Sequence, residues 1–116
     1  MEEIINIEFT PEFKRNVRSL SKKHRHLRSD IQPLLEQLEK GEIVGDKIPG
    51  VKYSVFKVRI LNSDIQKGKS SGYRLIYYLK SSKNIILITI YSKSDQADIS
   101  ATKIKSIINQ FDIPPV

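Results

Sequence analysis

The sequence predicts a single α+β domain, residues 1–116, with elements in the order β-α-α-β-β-β-α. Three observations indicate this class: two apolar stripes with helical spacing near the N-terminus, a central region where apolar and polar residues alternate, and a final helical stripe. The length fits one domain, because chains divide only beyond roughly 250–300 residues. We expect the helices to cover one face of a small sheet.

The first predicted strand leads directly into the first predicted helix. Ile4–Phe9 is a short β-branched run that is typical of a strand. Thr10 predicts a helix cap, and Pro11 fits the first helical position, where a backbone N–H would have no partner within the helix. Helix 1 is predicted to run to about Lys23, with an apolar stripe made of Phe13, Val17 and Leu20.

A second apolar stripe predicts helix 2, which forms a hairpin with helix 1. Its members are Leu27, Ile31, Leu34, Leu35 and Leu38. Because proline breaks a helix interior, we expect helix 2 to begin at Ser29 or Asp30, which leaves Pro33 in the first turn. Gly41 is the expected stop.

Three strands and a last helix are predicted next. The strands are expected at Val55–Leu61, Tyr73–Leu79 and Ile85–Tyr91, separated by a polar loop at Asn62–Gly72 and a turn at Ser81–Asn84. Ser94 or Asp95 is expected to cap the last helix. Its apolar stripe is Ile104, Ile107, Ile108 and Phe111, and Pro114-Pro115 ends it.

Positive charge is concentrated in two parts of the chain. The protein has 20 Lys and Arg against 13 Asp and Glu, a formal net charge of +7. Seven basic residues and no acid lie between Lys14 and Arg28, and ten basic residues and one acid lie between Lys47 and Lys93. Segregated positive charge attracts phosphates or an acidic protein. A surface that only keeps the protein soluble explains the first cluster equally well.

Several kinds of site are excluded or disfavoured. The absence of cysteine excludes disulfides and thiolate sites. His24 and His26 have no third ligand nearby, so we expect no metal, and no motif predicts a cofactor. Gly68-Lys69-Ser70 lacks the first glycine of a nucleotide-binding loop. Asp95 and Asp98 are interpreted as acids at a helix start, not as paired catalytic carboxylates.

No segment predicts membrane insertion or secretion. The longest aliphatic run, Ile85–Ile88, is far shorter than the roughly 20 residues that span a bilayer. The chain begins Met-Glu-Glu, which lacks the positive charge of a secretory leader. We therefore expect a cytoplasmic protein with no membrane partner.

Alternation along the strands places cations on one face of the predicted sheet. Lys57 and Arg59 project from one face of their strand, and Arg74 projects from the next strand. Tyr91 lies near the end of the third strand, and Lys93 follows on the same face. We expect this face to be uncovered and free of acids. Such a face suits RNA, whose phosphates pair with cations and whose bases stack on rings.

Four blocks of sequence carry a resemblance to known proteins. In chain order they are Phe9–Phe13 ahead of the leucine-rich hairpin, Val55–Arg59, Gly68–Tyr78, and Ile90–Asp95 leading into Asp98–Ser100. Together they resemble the RelE/ParE superfamily of toxins from type II toxin–antitoxin systems, especially its HigB-like branch. The resemblance covers nearly the whole chain. It implies a RelE-like, microbial ribonuclease-like sheet with two N-terminal helices and a C-terminal helix.

The resemblance also implies a function. It implies an endoribonuclease that cleaves mRNA on the ribosome without a cofactor and is inhibited by a cognate antitoxin, either one with an acidic segment or a DNA-binding protein. The site residues that it implies are Lys57, Arg59, Arg74, Lys93 and Tyr91. Further RNA contacts are expected at Lys22, Lys23, Lys67 and Lys69, although the last two are equally consistent with a loop that is simply basic.

The acid–base roles and two other functions stay open. Lys57 is the candidate base because no histidine is placed for this chemistry, and either Lys93 or Tyr91 is the candidate acid. A related branch inhibits DNA gyrase with the same fold and no nuclease centre, and the retained cations argue against it. An inactive copy that only binds its antitoxin is the other alternative.

Overall fold

The structure, a computed structural model, describes residues 4–63, 72–96 and 98–111, which form a five-stranded sheet and three helices. The elements are β1 (Asn6–Phe9), α1 (Pro11–Lys23), α2 (Leu27–Glu39), β2 (Asp46–Lys47), β3 (Val55–Ile60), β4 (Tyr73–Ser81), β5 (Asn84–Ser92) and α3 (Ala101–Phe111). Most of the predicted Asn62–Gly72 loop, with Lys67 and Lys69, lies outside the described residues, as does Pro114-Pro115.

The sheet is mixed, with strand order β1-β5-β4-β3-β2. β1 runs parallel to β5, and the pairs β5-β4, β4-β3 and β3-β2 are antiparallel. The α+β class and the order of the predicted elements are confirmed. The two-residue β2, which pairs with β3, is an addition, because no strand was predicted between Gly41 and Val55. β1 begins at Asn6, two residues later than predicted, and Ile4 is exposed.

The helical hairpin differs from the prediction at one boundary. α1 begins as expected, with the Thr10 hydroxyl accepting a hydrogen bond from the Phe13 N–H at 3.0 Å. α2 begins at Leu27 instead of Ser29 or Asp30, which places Pro33 inside the helix. Leu27 is fully buried. Its burial offsets the backbone hydrogen bond that the proline cannot make.

Helices cover both faces of the sheet, so the expectation that they cover only one is wrong. α1 and α2 pack on one face, against residues that include Tyr73, Leu75, Tyr77, Ile85 and Leu87. α3 packs on the other face through Ile104, Ile107 and Ile108, against Val55, Ile76, Ile86 and Ile88. The near-continuous apolar sequence of β5 follows from this arrangement, because its alternate residues are buried under different helices.

The last helix begins later than predicted. The Ser100 hydroxyl, and not a side chain at position 94 or 95, accepts a hydrogen bond from the Lys103 N–H at 3.1 Å, one turn into α3. Asp95 lies instead in a turn after β5, where its N–H donates to the Ser92 carbonyl. The described residues 98–100 therefore precede α3 as a segment without regular secondary structure.

Candidate functional site

Three of the residues singled out from the sequence form a continuous row across the sheet, called here the cross-strand row. Arg59 on β3 is the direct partner of Arg74 on β4, and Arg74 is the direct partner of Tyr91 on β5. Side chains of directly paired residues point to the same face, with Cβ atoms about 4.5–5.5 Å apart. Tyr91 belongs to the core under α3, so the row lies on the α3 side of the sheet.

The row lies at the edge of the area that α3 covers. Tyr91 is 5% exposed, whereas Arg59 is exposed and Arg74 is partly exposed. The expectation of an uncovered face therefore fails where Ile76, Ile86 and Ile88 meet α3, and it applies only near the two arginines. Strand pairing fixes the backbones of the row, so its three side chains leave the sheet side by side.

Lys57 lies on the same face, two residues before Arg59. Its strand partners are Ile76 on β4 and Asp46 on β2. The close approach of the β2 segment depends on Gly45, which has a φ of 91° and passes so near that a Cβ would clash with the Lys57 carbonyl oxygen. The lysine side chain is 36% exposed. β2 thus flanks the backbone that carries Lys57.

Lys93 lies where β5 has just ended, beside the start of β4. Its backbone N–H donates to the Gly72 carbonyl oxygen at 2.8 Å. Gly72 has a φ of 123°, and a Cβ there would lie 2.6 Å from the Ile60 carbonyl oxygen. The absence of a side chain lets β4 start against the end of β3, which brings Arg74 opposite Arg59. The structure therefore brings Lys93 to the same end of the sheet as the row.

The expectation that this face carries no acid is wrong. Asp98, in the segment before α3, accepts a hydrogen bond from the Tyr91 hydroxyl at 3.2 Å. The same carboxylate oxygen, Oδ1, lies 3.6 Å from Nζ of Lys57. Asp46 is a second acid beside Lys57, as its strand partner. Asp98 was interpreted as a helix-start acid, but Ser100 caps α3, and no local pattern links Asp98 to strands that precede it.

Tyr91 and Asp98 each shift the pKa of the other. Burial and then the charge of Asp98 raise the pKa of Tyr91 from 10.0 to about 12, against an opposing effect of Arg74. The pKa of Asp98 is lowered, first by a hydrogen bond from the Ile99 N–H and then by the charge of Lys57. At neutral pH the pair is therefore a protonated phenol that donates to a carboxylate.

Lys22 and Lys23 lie at the same end of the molecule but are not part of the row. Both are exposed in the last turn of α1. His24, which follows them, lies 3.2 Å from the Asn62 amide, and its ring meets the Tyr73 ring edge-on at 5.5 Å. This contact anchors the end of α1 where β3 ends and β4 begins. The two lysines are thus on the helical-hairpin side of the sheet.

Two features are absent from residues 4–63, 72–96 and 98–111, the described part of the chain. There, no group of three or more histidine, aspartate or glutamate side chains is arranged to hold a metal ion. No helix in the same residues has both the length and the apolar character needed to cross a bilayer. On this face lie three cations, Lys57, Arg59 and Arg74, and the phenol of Tyr91, which are residue types that suit contact with a phosphate.

The architecture has a counterpart among solved structures. A double arginine-to-alanine variant of the E. coli toxin RelE in the free state superposes with a TM-score of 0.54 over 95% of this chain and 99% of that chain. The fold is RelE-like. The two sequences are 22% identical, so the likeness concerns the fold. No protein-family model matches the sequence. The RelE-like fold that the sequence blocks implied is therefore confirmed by structure rather than by sequence similarity.

Proposed function

We propose that the protein is the toxin of a type II toxin–antitoxin system, of the HigB-like branch, and that it is a metal-independent endoribonuclease that cleaves mRNA on the ribosome. The observation that carries the proposal is the cross-strand row on a RelE-like fold. Opposed arginines destabilise a sheet, so stability does not explain them. A polyanionic substrate does, because its phosphates neutralise both side chains.

Cleavage by the ribose 2′-hydroxyl requires a base, a group that stabilises the charge on phosphorus, and an acid for the 5′-oxygen. Arg59 and Arg74 suit the stabilisation of the charge on phosphorus, since their guanidinium groups are permanently charged and fork-shaped. Tyr91 holds its proton at neutral pH, which suits the acid that protonates the 5′-oxygen. It currently donates that proton to Asp98, so it must turn away from Asp98 to act.

Lys57 is the proposed base, and Lys93 is either a phosphate contact or the acid in place of Tyr91. In the free protein the Asp98 carboxylate lies 3.6 Å from the Lys57 ammonium group. Departure of Asp98 would free Lys57 from this ion pair to face the substrate beside Arg59 and Arg74. The variant Lys57→Arg keeps the charge but cannot serve as a base. An unchanged dependence of cleavage on pH in this variant removes Lys57 from that role.

The proposed partners are mRNA on the ribosome and a cognate antitoxin in the cytoplasm. Lys22 and Lys23 are exposed at the end of the molecule that carries the row, which suits contact with the same RNA or with its ribosomal surroundings. Lys67 and Lys69 follow β3 in the sequence and are proposed as further RNA contacts. These four lysines are expected to contribute to affinity and not to the chemical step.

The test is to express the protein and map the ends of translated messages. Discrete cuts are expected with the wild type and with the control Lys52→Ala, which removes an exposed lysine outside the row. No cuts are expected with Arg74→Ala. Growth inhibition without cuts, accompanied by loss of supercoiling by gyrase, would contradict the proposal and support the gyrase-inhibiting alternative. Absence of both effects would support an inactive copy.

A further inference from the structure

Two hydrogen-bond donors of the site converge on a single oxygen of the protein itself. Oδ1 of Asp98 accepts from the Tyr91 hydroxyl and faces Nζ of Lys57. We propose that Asp98 occupies the position of an RNA phosphate oxygen in the free protein and competes with RNA for Lys57 and Tyr91. This inference rests on the proposed function, because it takes RNA to be the ligand of the row.

The geometry is that of an anion in its site. Oδ1 lies 3.2 Å from the phenol oxygen and 3.6 Å from the ammonium nitrogen, and Arg74 is close enough to oppose the rise in the pKa of Tyr91. A phosphate oxygen between the same two donors would make the same kinds of contact and would carry the same sign of charge. The Asp98 carboxylate and an RNA phosphate cannot both lie between Tyr91 and Lys57 at the same time.

Asp98 is not part of the α3 cap, and its side chain is mostly exposed. Ser100 caps α3, so the helix does not need the Asp98 side chain at its start. The Asp98 side chain is 64% exposed, and its third contact is with the N–H of its own neighbour, Ile99, at 2.8 Å. Exposed ion pairs are weak, so a phosphate held by the whole row can displace the carboxylate.

Two consequences follow for RNA binding. Removing the Asp98 charge releases Lys57, so affinity for single-stranded RNA is expected to rise about twofold to fivefold, the factor that corresponds to an exposed ion pair. Lys57 would then add a phosphate contact that does not first require breaking an internal pair. The logarithm of the binding constant should therefore fall more steeply with the logarithm of salt concentration, by about 0.7 in slope.

The test compares Asp98→Asn with Asp95→Asn in the full-length protein. Both variants remove one negative charge within three residues of each other, but Asp95 is exposed in the turn after β5 and has no ion pair with Lys57. The asparagine oxygen at position 98 can still accept from Tyr91 and Ile99, so the fold is preserved. The probe is polyuridylate of fixed length, followed by fluorescence anisotropy over a series of salt concentrations.

The expected result is tighter binding and a steeper salt slope for Asp98→Asn than for Asp95→Asn and the wild type. Equal affinities of the two variants overturn the inference, as does unchanged RNA affinity with slower cleavage, which would make Asp98 a positioning residue for Tyr91. The proposed function fails separately, when the wild type binds polyuridylate but cuts no message. Failure of all three proteins to bind RNA overturns both.

Discussion

Arg59 and Arg74 lie directly opposite each other on neighbouring strands of the sheet. Like charges in that position repel and destabilise strand pairing. Arg74 donates a hydrogen bond to the Tyr73 carbonyl oxygen at 3.3 Å, which engages one guanidinium nitrogen and leaves other donors available. An anion bound between the two side chains would relieve this repulsion.

This repulsion predicts that a variant at the site is more stable than the wild type. Replacing Arg59 by glutamine should raise the free energy of unfolding by about 0.2–1 kcal/mol at low salt, and by less at high salt, where the charges are screened. Urea denaturation at two salt concentrations measures the effect. Lys52→Gln removes an exposed cation outside the strands and serves as the control. Equal stability of Arg59→Gln and the wild type at low salt would show that the repulsion is negligible.

Arg74 is predicted to be the most sensitive position for the proposed cleavage, because it lies at the centre of the row. Arg74→Ala should lower the single-turnover rate by about 10²–10³-fold, the usual loss for one donor to a charged transition state. The fold should be retained, since the side chain is only partly buried and points away from the α1 and α2 core. A loss of tenfold or less in a normally folded variant would remove Arg74 from the reaction.

The shared face of the cross-strand row was predictable from the sequence because strands have a period of two. Lys57, Arg59 and Arg74 alternate with apolar residues, and the face they occupy follows from that alternation once the strands are recognised. Direct opposition of Arg59 and Arg74 was not predictable, since it depends on register. That register depends on how the chain passes through Gly72 into β4.

The sheet face that α3 covers and the contact between Asp98 and Lys57 could not be predicted from the sequence. An amphipathic helix identifies its own buried stripe but not the sheet face that receives it, so Ile104 and Ile108 were compatible with either face. The position of α3 decides where the preceding segment runs. Asp98 therefore reached Lys57, 41 residues earlier, through tertiary packing and not through any local pattern.

Gly72 is predicted to be essential to the geometry of the row. Gly50 provides the control, since its φ of 77° also disfavours a side chain, while a Cβ there meets nothing within 4 Å. Gly50→Ala should cost about 1–3 kcal/mol from backbone strain alone. Gly72→Ala should cost more, because its Cβ would lie 2.6 Å from the Ile60 carbonyl oxygen. Urea denaturation of both variants checks this order, and equal losses would mean that the chain accommodates the contact.

Tyr91 predicts a loss of stability at alkaline pH. Its pKa is about 12 in the folded protein against 10.0 ordinarily, so the folded state holds the proton more tightly than the unfolded chain. The resulting stabilisation is complete below pH 10.0 and is lost as the pH rises through about 12. Tyr91→Phe should lack this part of the alkaline loss, as measured by urea midpoints across that range. Parallel curves for Tyr91→Phe and the wild type would contradict the assignment of this alkaline loss to the Tyr91 hydroxyl.

The lowered pKa of Asp98 predicts a loss of stability at acidic pH. Its pKa is lowered below 3.8, so its contribution to stability is present above that value and is lost as the pH falls through the folded-state pKa. Because the side chain is mostly exposed, the effect should be small, and Asp98→Asn should flatten it. Asp95→Asn again provides the control. An acid-side curve that is identical in Asp98→Asn and the wild type would show that the contact does not persist in solution.

A groove beside α1 and the cross-strand row both suit an acidic partner such as the proposed antitoxin. Phe9 and Phe13, whose rings stack with centroids 5.7 Å apart, line this groove. The cations that line it are Lys14, Arg18 and Arg28. An antitoxin segment with acids around an apolar anchor would match this surface, and further acids would mask the row.

Inhibition by displacement of α3 instead would require the partner to replace the buried contacts of Ile104, Ile107 and Ile108.

Salt dependence separates these two routes of inhibition. If acids of the partner mask the cations, association should be fast at low salt and much slower at high salt, because opposite charges steer the encounter and are screened beyond about 10 Å at 0.1 M salt. Stopped-flow mixing of the two proteins measures the rate, and Arg18→Gln should reduce its salt dependence more than Lys52→Gln. A rate that stays flat across the salt series would exclude charge masking. Displacement of α3, which is driven by apolar contacts that salt does not screen, would then be the better account.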